Sequence, residues 1–396
     1  MKKLTPKMKQ ENLEKIIGIA QSPVNFEQIL NHIKTHVNFR PEGFSIDPRN
    51  GNLIIYCPKR RSRPRPNQNI CECSVCEKDL PSLVLAKKLP SGNYAFVTEN
   101  PFSFLNPDIT TDNMYKEFGN LSGLNFLLWP SNEHKDIYDL SYADNAVSFE
   151  ILGEMEKNII EFGKYPLIQI VKNTNSKKNF KQIHAQYHIV GLKIKSNEDG
   201  KKAIWTRPKA DHEDLKFLRK KGLSFPEYVA EIYISKFPKF KIHEYGEFTL
   251  AIHPFRRRPL EAIIYPSNPL VRTMSDLNLL QRTDLAKAIS DVSYALSALM
   301  PAMFMEKDYS IVFHSNTSMY CEIFPASQKV GGFERQREYI CESSPAHSLE
   351  LYKRFFEEFI ENDSEDLFSI KRAKINNSLV KYIREEIVKR VDKKYA

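Results

Sequence analysis

An α+β chain with an internal duplication is what this 396-residue sequence predicts, and three observations carry that expectation. The order strand, strand, helix, strand reads twice, once across 93–173 and again across 227–325. Helix-spaced apolar residues mark both ends of the chain, so helical extensions flank the two halves. A content of 41% hydrophobic and 27% charged residues belongs to a globular protein, and the length suffices for a large buried core.

The elements follow in order. Leu13, Ile16, Ile17 and Ala20, then Phe26, Ile29, Leu30 and Ile33, recur at helical spacing, and Pro23 divides them into two short helices. "FSIDPRNGNLIIYCPKRRSRP" (44–64) reads as a strand, a turn at Asn50-Gly51 and a second strand that ends in a basic, proline-rich loop. "NYAFVTENPFSFLNPD" (93–108) is a strand leading into a proline-marked loop. "GLNFLLWPSNEH" (123–134) is a buried strand whose following loop delivers His134. Residues 140–163 have the pattern of an amphipathic helix, "PLIQIVKN" (166–173) that of a core strand, and "HAQYHIV" (184–190) that of another strand. A charged, strand-poor connection follows (195–225). Strand-forming sequence resumes across 227–255 and in "PLEAIIYPSN" (259–268), then a helix across 276–300 and the strand "SMYCEIFP" (318–325). The last 26 residues read as a basic helix with Ile375, Leu379, Tyr382, Ile383 and Ile387 on one face, a docking face rather than a membrane helix.

Composition excludes several classes of function. No run of about 18 apolar residues is present, and the nearest candidate, "VSYALSALMPAMFM" (292–305), is broken by Pro301. "MKKLTPKMKQENLEK" has no apolar core behind its basic residues, so it is not a secretory signal, and a cytoplasmic location is the expectation. Residues 1–66 hold 13 Lys/Arg against 5 Asp/Glu and residues 371–396 hold 9 against 3, so the net charge of +9 sits at the two ends. A protein that grips long nucleic acid spreads basic surface over its folded body, so nucleic acid is not the expected partner. The six cysteines do not suggest a disulfide framework in a chain without a signal peptide. Cys73 and Cys76 in "CECSVCEK" instead have the C-x-x-C spacing of half a metal site, with Cys71 a bystander.

Taken together and in order, several of these segments resemble the galactose-1-phosphate uridylyltransferase-like branch of the histidine-triad (HIT) superfamily, which also contains nucleotide-sugar and dinucleotide phosphorylases. "DPRNGNLIIYCPKRRSRP" is similar to the family's opening segment, and "CSVC" follows where the family has its C-x-x-C. "TENPFSFLNPD" resembles N-x-F-P-A-L, and "NFLLWPSNEHKDIYDLS" the strand and loop that carry a zinc-binding histidine. "GEFTLAIHPFRRRPLEAIIYPSN" and "CEIFPASQKVGGFE" resemble second-half segments. The resemblance implies two HIT-like halves, each a mostly antiparallel sheet with packed helices. It divides the chain into an N-terminal helical extension (1–40), a first half with the zinc site (41–194), a connection (195–226), a second half (227–360) and the basic C-terminal helix (361–396). It also implies a homodimer and a nucleotide or nucleotide-sugar substrate.

In the family strand H-x-H-x-Q, the first histidine binds zinc and the second attacks phosphorus, and the nucleotidyl-histidine is then discharged onto a second phosphate. Two registers are open here. One, anchored on Asn173, places His184 on a structural zinc with Cys73, Cys76 and His134. It puts Gln186 at the nucleophile and His188 at the family glutamine. An amide is neither basic nor nucleophilic, so the usual covalent step is lost in that register. The other makes His184 the nucleophile and Gln186 the phosphate-holding amide, with Gln182 at the zinc position. The first is preferred, because "NTNSKKNFKQ" (173–182) lacks the glycines that let backbone N–H groups approach phosphate, and "SMYCE" lacks both second-half histidines. Arg60, Arg61, Arg63, Asn100, Asn173 and Lys181 are the substrate-binding candidates, with Lys177 and Lys178 further sources of charge. His253 in "AIHPF" is read as structural, and His243 and His314 stand in no motif. The leading expectation is a divergent nucleotidyltransferase or phosphorylase. The alternative is a nucleotide- or nucleotide-sugar-binding protein of the same fold that no longer transfers.

Overall fold

The computed structural model describes residues 6–22, 25–36, 43–46, 52–58, 75, 80, 82–105, 107, 120–175, 184–196, 203–205, 209–315, 317–328, 331–332, 338–360, 366–369 and 372–395. Contacts divide the chain into two units, each drawn from separate stretches. The first comprises Met1–Glu133, Ile151–Ile170 and Gln186–Lys216; the second comprises His134–Glu150, Val171–Ala185 and Phe217–Ala396.

In the first unit the two N-terminal helices form where the apolar spacing places them, as α1 (Pro6–Ala20) and α2 (Phe26–His36). Ile16 of α1 is buried in a cluster with Val75, Ala86, Phe96, Leu127 and Trp129. β1 (Gly43–Ile46) and β2 (Leu53–Tyr56) make a two-stranded antiparallel ribbon. Phe44 of that ribbon packs with Leu105, Leu121, Leu167, Val190 and Leu192. β3 (Leu83–Lys88), β4 (Tyr94–Glu99) and β5 (Asn120–Trp129) lie side by side and antiparallel. Next to β5 lies β7 (Tyr187–Ser196), and β8 (Ala203–Trp205) pairs with β7. Sequence reasoning had not singled out β3. α3 (Tyr142–Glu161) and β6 (Leu167–Asn175) each have residues in both units. α3 was expected to be amphipathic, yet most of its positions are buried, Asp144, Asn145, Ser148 and Glu156 among them. A helix covered on most sides shows no clean stripe.

β5 and β7 approach closely because two glycines leave room. A Cβ on Gly123 would meet the Gly191 carbonyl oxygen at 2.6 Å, and one on Gly191 would meet Ile159 Cγ2 at 2.5 Å. The register pairs Gly123 with Leu192 and Leu124 with Gly191, so the contact falls at the centre of the longest strand pair.

The second unit holds an antiparallel set in the order β12-β13-β11-β10-β9, with β9 (Lys241–Glu244), β10 (Phe248–Ala251), β11 (Ala262–Pro266), β12 (Asp308–His314) and β13 (Tyr320–Pro325). Residues 228–234 belong to a π-helical turn rather than a strand. The short helix before it, α5 (Phe225–Glu227), explains why. Ser224 caps it, Glu227 reaches back to the cap, and Pro226 stands in its first turn, so helix nucleation overrides the apolar content of "YVAEIYI". The connection read as strand-poor carries α4 (Lys209–Lys221) as well as β8. The long helix α6 (Leu279–Ala302) starts at an Asn278–Gln281 capping box and is buried along almost its whole length. α7 (Pro345–Phe359) starts at a Ser344 cap with Pro345 behind it.

The C-terminal helix is not one smooth turn sequence. α8 (Asn377–Ile383) passes through a π-helical turn (Arg384–Val388) into α9 (Lys389–Tyr395). Val380, Ile383, Ile387, Val388 and Val391 are buried, while Tyr382 of the expected stripe is 46% exposed. That face is occupied within the unit, against α6 and α7. Arg384 donates to the carbonyls of Ala302 (2.8 Å) and Pro301 (3.1 Å), closing the C-terminal end of α6 with a cation. Arg372 reaches the buried Asp291, which also accepts from Tyr142 (2.8 Å) and Tyr245 (2.9 Å).

Gly191→Ala should destabilise the protein by about 1–3 kcal/mol through overpacking. The expected reading is a clear drop in thermal midpoint; a variant melting with the parent contradicts the close approach.

Candidate functional site

The loop after β5 carries His134, and the stretch before β7 carries His184. Ala185 N–H donates to the Lys135 carbonyl at 2.9 Å, so one backbone hydrogen bond joins the residues that follow the two histidines. The imidazoles meet edge to face with centroids 5.2 Å apart, and His184 is 6% exposed. Two imidazoles sharing one tetrahedral ion at metal–nitrogen distances of about 2.1 Å have centroids about 5 Å apart, so the spacing fits a shared metal. Cys73 and Cys76 lie outside the described residues.

A buried charge fixes the His134 loop two residues on. Asp136 has no exposed surface; it caps the short 3₁₀ turn Ile137–Asp139 and receives the Ile137 N–H at 2.8 Å. Lys172 Nζ from β6 stands 3.4 Å from one of its oxygens and Lys307 Nζ 3.5 Å from the other. Burial works to raise the Asp136 carboxyl, but the two ammonium groups and the Ile137 N–H hold it below the ordinary carboxylate range. Lys172 is itself buried and donates to Thr174 Oγ1 at 2.6 Å.

"HAQYHIV" is not a strand throughout. β7 starts at Tyr187, so His184 and Gln186 precede it. From Ala185 on, burial alternates: Ala185, Tyr187 and Ile189 are buried, while Gln186 and His188 are half-buried. Period two puts Gln186 and His188 on the same, more open face. His184 is buried against His134 instead, because the Ala185–Lys135 hydrogen bond holds that end of the segment to the loop.

The other expected residues divide three ways. Arg60, Arg61, Arg63, Lys177, Lys178, Lys181 and Gln182 lie outside the described residues. Asn100 shapes its own loop after β4: its Oδ1 accepts from Phe102 N–H at 3.0 Å, and its N–H donates to the Asn125 carbonyl. Asn173 stands exposed on β6 and accepts from Ser310 Oγ at 2.7 Å.

A second cluster, in the second unit, was not anticipated. A ring nitrogen of His253 and oxygens of Glu261 and Glu322 all lie within 4.8 Å of one another. Arg257 Nη2 bridges the carboxylates, 3.0 Å from Glu261 and 3.4 Å from Glu322, and its backbone N–H donates to Glu261 at 2.8 Å. His314, stacked on Tyr320 with centroids 4.2 Å apart, donates to Glu322 at 2.8 Å. Burial pushes the Glu261 carboxyl up against the pull of Arg257, whereas at Glu322 burial is outweighed by His314 and Arg257 acting together, which hold it down. Burial drops His253 to about 4, leaving its imidazole neutral at physiological pH. The signal was in the sequence: Glu261 and Glu322 belong to the quoted "RRRPLE" and "SMYCE", but His253 sits among apolar neighbours and reads as core.

No protein-family profile matches the chain, and no curated protein matches its sequence. Solved structures do match. A uridylyltransferase aligns over 80% of this chain and 98% of its own, with a TM-score of 0.60 at 15% identity. An ADP-glucose phosphorylase from Arabidopsis thaliana with bound ADP-glucose aligns over 78% and 98%, with a TM-score of 0.53 at 16% identity. A GalT-like protein from Arabidopsis thaliana aligns over 78% and 97%, also at 0.53 and 16%. The chain has the α+β fold of the uridylyltransferase and GalT-like structures, the group its ordered segments resemble.

Asp136→Asn strands the buried Lys172 ammonium and should cost about 3–5 kcal/mol of stability. Adding Lys172→Met should restore a large part of that loss. A single variant as stable as the parent contradicts the ion-pair account.

Proposed function

We propose that the chain is a nucleotidyltransferase or phosphorylase acting on a nucleoside diphosphate-linked sugar, with His188 as its nucleophile. The observation that carries the reading is the commitment of His184 to His134 at 5.2 Å, which leaves Gln186 and His188 as the polar pair on the open side of the segment. The resemblance led to an imidazole followed two residues later by an amide; here the amide comes first and the imidazole second. Both groups keep the spacing of one strand face. The solved relatives named for an activity are enzymes, so binding without transfer draws no support from them.

The chemistry balances in two displacements. A neutral His188 nitrogen attacks the α-phosphorus, the bond from phosphorus to the bridging oxygen breaks, and sugar 1-phosphate leaves with the electron pair. The oxygen of inorganic phosphate or of a second sugar 1-phosphate then attacks the nucleotidyl-imidazole, freeing His188 and giving a nucleoside diphosphate or a new nucleotide sugar. In this reading Gln186, on the same face as His188, donates its amide N–H to a phosphate oxygen, a bond that counts for more where water is excluded. A zinc ion held by His134 and His184, with Cys73 and Cys76 offered by the sequence as the remaining ligands, would be structural.

Intact-mass measurement at neutral pH after mixing with UDP-, ADP- and GDP-sugars tests the assignment. The expected result is a single nucleotidyl adduct that is lost in His188→Ala, with zinc content falling in His134→Ala and His184→Ala. An adduct that survives His188→Ala and vanishes in His184→Ala returns the nucleophile to His184. No adduct and no phosphate-dependent release of sugar 1-phosphate from any donor refutes transfer altogether.

A further inference from the structure

We propose that His253, Glu261 and Glu322 form a binding site for one divalent first-row transition-metal cation. The inference stands apart from the nucleotidyl-transfer reading, since none of its residues takes part in that chemistry.

Two independent observations point the same way. The first is the convergence of one imidazole nitrogen and two carboxylate oxygens within 4.8 Å, contributed by the end of β10's following turn, the approach to β11, and β13. The second is that His253 is 1% exposed and both its ring nitrogens lack a hydrogen-bond partner. A buried polar group left unpaired costs about 1–3 kcal/mol. Its other ring neighbours, Phe225 at 5.9 Å and Phe255 at 6.2 Å between centroids, offer no acceptor. A cation between the ring and the carboxylates satisfies one nitrogen at once, and a neutral imidazole is the form that ligates.

Charge and chemistry select the occupant. Two carboxylates face one guanidinium, so the cluster holds one negative charge in excess of Arg257. One imidazole with two carboxylates suits manganese, iron(II) or zinc, and contains no thiolate to favour copper(I). Ligands in a common shell at bonds of about 2.1 Å sit about 3–3.4 Å apart, so closure asks the two glutamate side chains to move inward by about 1 Å. Arg257 is the competitor: it holds the same two oxygens, but its side chain is 36% exposed and rests over the Phe324 ring, so it has solvent to swing into. Three protein ligands leave further coordination positions for water or an anionic oxygen.

The test uses the full chain, stripped with a chelator, reloaded with one molar equivalent of zinc and titrated with manganese(II), read by electron paramagnetic resonance and equilibrium dialysis. The parent should bind one manganese ion. Losing an outer partner of a ligand costs about 10–100-fold in metal affinity, so Glu322→Gln and His253→Ala should each weaken binding by more than about tenfold. Glu322 is partly exposed, so its variant guards against mere misfolding of His253→Ala. His134→Ala should keep the manganese ion, and Arg257→Ala, which removes the competing cation, should tighten it. No manganese uptake by the parent, uptake unchanged in Glu322→Gln, or weaker binding in Arg257→Ala each overturns the proposal.

Discussion

A carboxylate with no exposed surface must find its countercharge inside the protein, and Asp136 does so twice over. Its two lysines come from different parts of the chain, Lys172 on β6 and Lys307 just before β12, so one side chain fixes the relation of a loop to two strands. The His134 loop inherits its position from that arrangement. Next to His134, the Lys135 carbonyl accepts from the Ala185 N–H, which ties the loop to the residue after His184. An isolated pair of buried charges is often no better than an apolar pair of the same shape. What the Asp136 set provides is definition: it fixes the loop that brings the His134 imidazole against His184.

The second unit, which holds Asp136 and both its lysines, handles buried charge in more than one place. Asp291 accepts from two tyrosines and pairs with Arg372, again joining segments far apart in sequence. Around Glu261 and Glu322 the accounting differs, because two acids share one arginine and a buried imidazole faces them with no partner of its own. Networks satisfied on every atom rigidify a core, while an incompletely satisfied one marks a place suited to a ligand.

Periodicity made much of this fold legible and left particular parts opaque. α1, α2, β5, β6 and α6 announce themselves, α1 and α2 by helix-spaced apolar residues, β5 and β6 by compact apolar runs, and α6 by a long stretch rich in helix formers. β3 and β12 escaped because "LVLAKK" and "DYSIVFH" are short runs between more conspicuous neighbours. Residues 228–234 were misjudged because a capping box outranks β-forming composition, and Tyr382 because it falls at the edge of the stripe formed by Val380, Ile383, Ile387, Val388 and Val391. At the first site, the resemblance named His134 and His184, whose imidazoles the structure brings together, while the choice between the two registers turns on where the strand begins, which periodicity does not show. The second cluster was harder to assemble for a different reason. Glu261 and Glu322 are 61 residues apart and come together through strand pairing, in which Ile263 lies opposite Glu322.

The salt bridge of Arg372 also bears on the order in which the protein can be completed during synthesis. The chain emerges N-terminus first, and domains generally fold as they become available. Asp291, Tyr142 and Tyr245 are all made before Arg372, so the carboxylate gains its guanidinium partner only once residue 372 has emerged. Enclosing Asp291 earlier would bury the charge against hydroxyl groups without that cation, which favours late packing of the middle of α6.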